Sequence, residues 1–238
     1  EEIMSALLEV ADVAAGYGGG RVLNGVSFGI GRGEVLALIG RNGVGKTTLM
    51  RTLIGLVKLD AGHIVLDGAP IGHEKPYVRA RKGIGYVPQG REIFGALTVA
   101  ENLQVGAQAN RDKAALMREK VVGYFPVLKT RYRQKAGTMS GGEQQQLAIA
   151  RALVSSPQVL LLDEPSEGIQ PSIVDLIGET LLTIARETGI GVVLVEQDMG
   201  MVERIATRCC VMDKGRIVDT LSPAQLGDEQ LIRQYLAL

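Results

Sequence analysis

Gly40-Arg41-Asn42-Gly43-Val44-Gly45-Lys46-Thr47 has the spacing G-x-x-x-x-G-K-S/T, and Thr48 extends it. Glycines leave successive backbone N–H groups bare, so the chain can close around a phosphate, and a helix start beyond it adds partial positive charge. In that arrangement Lys46 reaches the β- and γ-phosphates, and the Thr47 hydroxyl sits on Mg²⁺. The loop is therefore expected to bind ATP with Mg²⁺ and to support its hydrolysis. The competing reading, a chance match in a chain with 31 Gly, is on the order of a per cent at average residue usage.

A second reactive pair, Asp163-Glu164, follows the apolar run Val159-Leu160-Leu161-Leu162. Carboxylates at the carboxyl end of a buried parallel strand stand where ligands bind in such sheets. Asp163 is expected in the Mg²⁺ shell, and Glu164 beside the γ-phosphate, polarising the attacking water. Two acids after a strand also serve simply as a helix-start signal. The third candidate is Ser140-Gly141-Gly142-Glu143. As a capping box it needs no ligand. Yet Gly in a first turn costs about 1 kcal/mol against Ala, which makes sense where bare amides and the Ser140 hydroxyl approach an anion. With one phosphate cradle already at 40–48, a second points to ATP held by another subunit.

The elements around these motifs suit them. Val35-Leu36-Ala37-Leu38-Ile39 reads as a buried strand before the glycine loop, and Thr48 to Leu56 as the helix after it. Upstream, Leu8 to Val13 and Val22 to Phe28 read as strands around a turn at Gly16 to Gly20, and Ile64-Val65-Leu66 ends at the turn Asp67-Gly68. The stretch from about 90 to 155 reads as helical, with capping boxes at Thr98-Val99-Ala100-Glu101 and at Ser140. Val159 to Leu162 and Gly191 to Val195 are strands separated by a helix at about 171–187, an order that calls for a parallel sheet. Ser222-Pro223 opens a closing helix.

Composition narrows the class. Hydrophobic residues make up 46% and aromatics 4%, with no Trp, so the apolar content is aliphatic and fits doubly covered parallel strands. Lys plus Arg (26) balances Asp plus Glu (26), which lacks the footprint of a nucleic-acid binder, so no nucleic-acid partner is expected. Cys209 and Cys210, the only two cysteines, would point to opposite faces of a strand, and they read as buried, reduced thiols of a cytosolic protein. No apolar run approaches the ~18 residues that span a bilayer, and no signal peptide is recognised. Met4, behind Glu1-Glu2-Ile3, reads as the native start, and His63 and His73 as surface residues in turns.

Over nearly its whole length the chain resembles the ATP-binding subunit of ATP-binding-cassette (ABC) transporters. The resemblance rests on Gly40 to Thr48, Met139-Ser140-Gly141-Gly142-Glu143 and Leu160-Leu161-Leu162-Asp163-Glu164-Pro165, in the family's order and spacing; the middle motif is the family's diagnostic signature. It implies an α/β P-loop NTPase fold with a mostly parallel core sheet, an N-terminal antiparallel β subdomain and a helical subdomain at about 90–155. All of this would belong to one ATP-binding domain over residues 1–238. It also implies a head-to-tail dimer with two ATP sites, each closed by the other subunit's Ser140, Gly141 and Gly142. Gly40, Asn42, Gly43, Gly45, Lys46, Thr47 and Thr48 would hold the phosphates. Tyr17 would stack on adenine, and Gln89 would sense Mg²⁺ and water and move with a membrane partner. Transmembrane permease subunits at the cytoplasmic face of the membrane would be that partner, with an extracytoplasmic solute-binding protein acting indirectly.

Two positions depart from the family pattern. Where the family usually places a switch His, this chain has Gln197, and where the loop after Glu164 usually carries Asp it has Gln170. Gln can hydrogen-bond a γ-phosphate but cannot become cationic. Hydrolysis is therefore expected to be slower in a homodimer than in a heterodimer whose second ATPase subunit supplies His. Gln in the switch position resembles the importer branch for branched-chain amino acids and related amides. Gly90-Arg91-Glu92-Ile93-Phe94 and Glu167 to Ile173 look closest to the urea-importer ATPase. Ile93, Phe94, Leu97 and Val99 read equally as core or as a groove for a membrane subunit's cytoplasmic helix. The alternatives are a soluble ABC ATPase acting on DNA or ribosomes, and a nucleotide-gated scaffold. The sustained heptads or second cassette of the former are missing.

Overall fold

The computed structural model describes residues 6–228 and Tyr235, and of residues 113–115 the backbone alone; Met4, read above as a start, lies outside the described residues. Strands β1 (Leu8–Tyr17), β2 (Gly20–Ile30) and β3 (Val35–Ile39) lead into helix α1 (Lys46–Ile54), then β4 (Leu59–Leu66), β5 (Ala69–Pro70), α2 (Pro76–Lys82) and β6 (Ile84–Val87). A helical stretch follows, with α3 (Val99–Gly106), α4 (Arg111–Tyr124), α5 (Pro126–Thr130) and α6 (Gly141–Leu153). The chain then alternates through β7 (Val159–Asp163), α7 (Pro171–Thr188), β8 (Gly191–Val195), α8 (Met199–Ile205), β9 (Arg208–Asp213), β10 (Arg216–Leu221) and α9 (Pro223–Leu226).

β2-β1-β4-β5 make an antiparallel sheet, and β10-β9-β3-β8-β7-β6 make a six-stranded one that is parallel except at β10. With the helices at 99–153, these are the three parts the resemblance implied. Strands β3, β7 and β8 are buried at every residue, as apolar runs are when both faces of a sheet are covered. Leu160, Leu162, Val192 and Leu194 pack with Leu103 of α3 and Leu147 of α6. Leu161, Val193 and Val195 pack the other way, with Leu49 and Leu53 of α1 and with Val10 and Ile64 of the antiparallel sheet. Alternation along a strand thus divides one sequence run between two cores. Cys209 and Cys210 obey the same rule, one packing with Val202 and Leu221 and the other with Leu38 and Met212. Burial pushes the Cys209 thiol up to about 12.

Both capping boxes close reciprocally. Thr98 N–H donates to Glu101 Oε2 at 2.7 Å while Glu101 N–H donates to Thr98 Oγ1 at 3.2 Å. Ser140 N–H donates to Glu143 Oε2 at 2.8 Å, and Glu143 N–H returns to Ser140 Oγ at 3.4 Å.

Other expectations need correction. The helical stretch does not begin near 90. Gly90, Arg91 and Glu92 have φ of 81°, 70° and 45°, values that no right-handed helix accepts, and α3 starts only at Val99. The turn at 16–20 shrinks to Gly18 and Gly19, because β1 and β2 extend to meet it at Tyr17 and Gly20. His63 is exposed as expected, but it lies on β4 opposite Ala11, since that strand begins five residues before Ile64. His73 is an exposed turn residue.

Candidate active site

Strand order decides which residues meet. The glycine loop leaves the carboxyl end of β3; Gln89, Glu164 and Gln197 follow β6, β7 and β8, which are neighbours in the order β3-β8-β7-β6. Parallel strands deliver those ends to one edge of the sheet, where ligands bind. A cleft of about 520 Å³ opens there, lined by Asn42, Gly43, Gly45, Lys46, Thr47 and Thr48 of the glycine loop and α1, by Gln89, Glu164, Glu167 and Gln197, and by Val22.

The glycine loop is backed by a hairpin distant in sequence. Gly40 has φ 145°, and a Cβ there would lie 2.3 Å from the Met212 carbonyl oxygen of β9. In the β9–β10 turn, Gly215 N–H donates to the Val44 carbonyl at 2.8 Å, and the Gly215 carbonyl accepts Asn24 N–H at 2.8 Å. Gly45, at φ 112°, swings the chain into α1, so that helix begins at Lys46, two residues before the expected Thr48.

Lys46 is 5% exposed, and its Nζ donates to the carbonyls of Gly40 at 2.5 Å and Arg41 at 3.0 Å. Loss of hydration lowers its pKa, against the pull of Glu164 and Asp163. The same loss raises the pKa of buried Asp163, opposed by a hydrogen bond from Thr47. Thr47 Oγ1 donates to Asp163 Oδ1 at 3.3 Å, whereas Asp163 Oδ2 is buried with no hydrogen-bond partner among the described residues.

Glu164 has φ 49°, a left-handed backbone that non-glycine residues adopt rarely. Its oxygens are held from both sides. Gln197 Nε2 donates to Oε1 at 2.7 Å and Gln89 Nε2 to Oε2 at 3.2 Å, with Gln89 also donating to Glu167 at 3.0 Å.

Other expected site residues lie outside this cleft. Tyr17 ends β1 half exposed, with its phenol on the Arg51 guanidinium. Ser140, Gly141 and Gly142 open α6 elsewhere on the surface, with Ser140 exposed. The two glycines also have a packing reason. A Cβ at Gly142 would fall 2.7 Å from Ile173, and one at Gly141 would fall 3.1 Å from the Arg91 guanidinium. Of the residues expected in either a groove or the core, Val99 is core, whereas Phe94 is 46% exposed. Phe94 and Ile93 line a second cavity of about 560 Å³, and Arg151 lies 5.0 Å over the Phe94 ring.

The sequence profile described as ABC transporter matches residues 23–167, more than half of the chain. The chain belongs to the ABC transporter family. The branched-chain amino acid transport ATP-binding protein BraG of Pseudomonas aeruginosa, described as high-affinity, is 44% identical over 213 residues, covering 89% of this chain and 91% of that protein. The lipopolysaccharide export system ATP-binding protein LptB of Haemophilus influenzae is 35% identical over 237 residues, covering 97% of each. Among solved structures, the dimeric post-hydrolysis state of the ATP-binding cassette MJ0796 bound to ADP and Pi is similar with a TM-score of 0.78 and 25% identity, covering 91% of this chain and 98% of that one. The chain is thus a nucleotide-binding ABC ATPase, and no helix among its described residues is long and apolar enough to cross a membrane.

The sequence of this ABC ATPase hid several residues that line the cleft or bond to residues that line it. Val22 reads only as the start of a strand and Glu167 only as part of the 167–173 segment, neither as a residue of the site. Arg91 reaches the Glu167 carbonyl at 3.2 Å from a loop read as helix. Glu196, between two residues already of interest, is 1% exposed and accepts hydrogen bonds from both flanking loops. Its acidic side chain after an apolar strand was the one available signal.

Proposed function

We propose that this chain is the ATP-hydrolysing subunit of a membrane importer, peripheral to the cytoplasmic face, energising uptake of a small solute of the branched-chain amino acid or urea and short-amide class. One observation carries the mechanistic part: the Glu164 carboxylate lines the same cleft as the phosphate loop, its oxygens held by the amides of Gln89 and Gln197. The solute class follows the 44% identity to a branched-chain amino acid transport protein, against 35% for the export protein.

In this reading the amides of Gly40, Asn42, Gly43, Gly45 and Thr48 cradle the phosphates. Lys46 exchanges its carbonyl partners for the β- and γ-phosphates, and Tyr17 stacks on adenine. Glu164 polarises the attacking water, and Gln197 contacts the γ-phosphate. The residues present suit a hard cation: Asp163 has an unpartnered buried oxygen, Thr47 presents its hydroxyl beside it, and Gln89 hangs over the same cleft. Mg²⁺, when bound, neutralises phosphate charge. Because Ser140 to Gly142 open a helix outside the cleft, they are assigned to the ATP of a second cassette. The dimeric ADP- and Pi-bound structure supports that assignment.

Co-purification with its membrane subunits, followed by ATPase assays across branched-chain amino acids, urea and short amides, tests the proposal. Stimulation by one of these solutes is expected, and turnover indifferent to all of them and to the membrane subunits would overturn it. The switch position gives a separate prediction. A charge-assisted hydrogen bond is worth about 1 kcal/mol more than a neutral one, so Gln197→His should raise homodimer kcat by about fivefold. Rapid wild-type turnover with no gain in the variant would refute a weakened switch.

A further inference from the structure

Glu196 follows β8 directly and is buried, although nothing in the hydrolysis scheme uses it. Its Oε1 accepts the Ser166 N–H at 2.9 Å. Its Oε2 accepts the Ser166 hydroxyl at 2.8 Å, the Gln197 N–H at 2.8 Å and the Asp198 N–H at 3.0 Å. These donors come from two different loops. Ser166 lies two residues after Glu164 on the loop leaving β7, and Gln197 and Asp198 lie on the turn leaving β8. The strands hold each other only as far as the Glu164 N–H, which donates to the Val195 carbonyl at 2.9 Å. Beyond that point the loops are joined by the Glu196 carboxylate and by the Gln197–Glu164 side-chain hydrogen bond, and only the former bonds the backbone of both loops.

We propose that Glu196 is a positioning residue that ties the loop after Glu164 to the turn carrying Gln197, so that the two side chains meet at the 2.7 Å hydrogen bond between them. This rests on the reading of Glu164 as the water-polarising carboxylate and of Gln197 as the phosphate contact. Connecting loops are mobile unless anchored, and charge-assisted hydrogen bonds are the strong anchors. A carboxylate suits the task because it accepts on both oxygens. The isosteric amide accepts on one and presents N–H groups at the other, donor against donor. Among the described residues the hydrogen bonds of the Glu196 side chain go to Ser166, Gln197 and Asp198 and none to the phosphate loop, so its effect falls on geometry rather than on binding.

The test compares full-length wild type, Glu196→Gln, Ser166→Ala and Glu164→Gln, by amide hydrogen exchange and by MgATP turnover. In Glu196→Gln the amides of Ser166, Gln197 and Asp198 should exchange about tenfold faster or more, while β7 and β8 keep their protection. Its kcat should fall by about tenfold or more with nucleotide KM within about twofold, as expected for misplacement without loss of binding. Ser166→Ala removes one donor and leaves the carboxylate, so it serves if Glu196→Gln fails to fold. Its kcat should fall by about threefold, and in the double variant the two losses should not multiply. Unchanged exchange at those amides, or a full rate in Glu196→Gln, would overturn the inference. If Glu164→Gln turns over normally, the reading on which it rests is wrong. If Glu164→Gln is inactive while Glu196→Gln runs at full rate, the positioning role alone fails.

Discussion

Glu164→Gln is expected to bind MgATP normally, to lose turnover by ~10²–10⁴-fold, and to accumulate as an ATP-bound dimer. The substitution keeps size and shape but removes the acceptor that polarises water. The contacts of Glu164 make it a clean experiment. Glu164 is partly exposed at the mouth of the cleft, and its hydrogen bonds are to two flexible Gln amides that can turn to face a Gln side chain. Little stability should be lost, so a fall in rate reports chemistry. Size-exclusion chromatography with and without MgATP, beside steady-state turnover, checks both halves. A monomeric variant hydrolysing at the wild-type rate would remove Glu164 from the mechanism.

Lys46→Ala should behave oppositely, losing nucleotide affinity first. A hydrogen bond to a charged group is worth about 1.5–3 kcal/mol, so Kd for ATP should rise by about 10- to 100-fold. Thermal unfolding reads this without relying on activity. At a ligand concentration of 100 Kd a native-state ligand stabilises by about 2.7 kcal/mol. For a chain of this size that lifts Tm by about 5–10 °C. At the same ATP concentration, now only about 10 to 1 Kd, the stabilisation of Lys46→Ala should fall to about 1.4–0.4 kcal/mol, roughly half to a sixth of the wild-type shift, while Glu164→Gln keeps the full shift. An equal shift in all three proteins would mean that Lys46 does not hold the phosphates.

The parts of the site that are local in sequence were legible, because their physics is local. Strand, glycine loop and helix succeed one another within residues 35–54, and each capping box spans four residues. Strand β6 was not read: four residues including Gly85 are too short to show a period, although β6 delivers Gln89 to the cleft. The β9–β10 hairpin was also missed, because β10 alternates weakly, with Val218 exposed and Asp219 and Thr220 beside it. Helix α2 looks like a basic surface segment, yet Arg79 within it is 2% exposed and donates to the Thr52 and Leu53 carbonyls at 2.7 and 2.8 Å. No periodicity reports that a guanidinium finishes another helix. The meeting of Gln89, Glu164 and Gln197 follows from strand order, which is fixed by pairings between segments distant in sequence, Ile84 with Val159 and Val159 with Gly191. Glu196 was hidden for the same reason, since its partner Ser166 lies 30 residues earlier on another loop.

The wall behind the glycine loop has a consequence for synthesis. The strand that carries the loop, β3, lies between β8 and β9, and Gly40 is shaped by the carbonyl of Met212. Domains emerge from the ribosome amino end first. Residues 35–48 therefore leave the exit tunnel long before the strands that flank them and the turn at Lys214-Gly215 that braces Val44. The most recognisable motif in the chain is translated early and takes its working shape late. A nascent chain halted before residue 191 carries every letter of the phosphate loop but neither flanking strand of β3 nor the Met212 and Gly215 backbone that braces Gly40 and Val44.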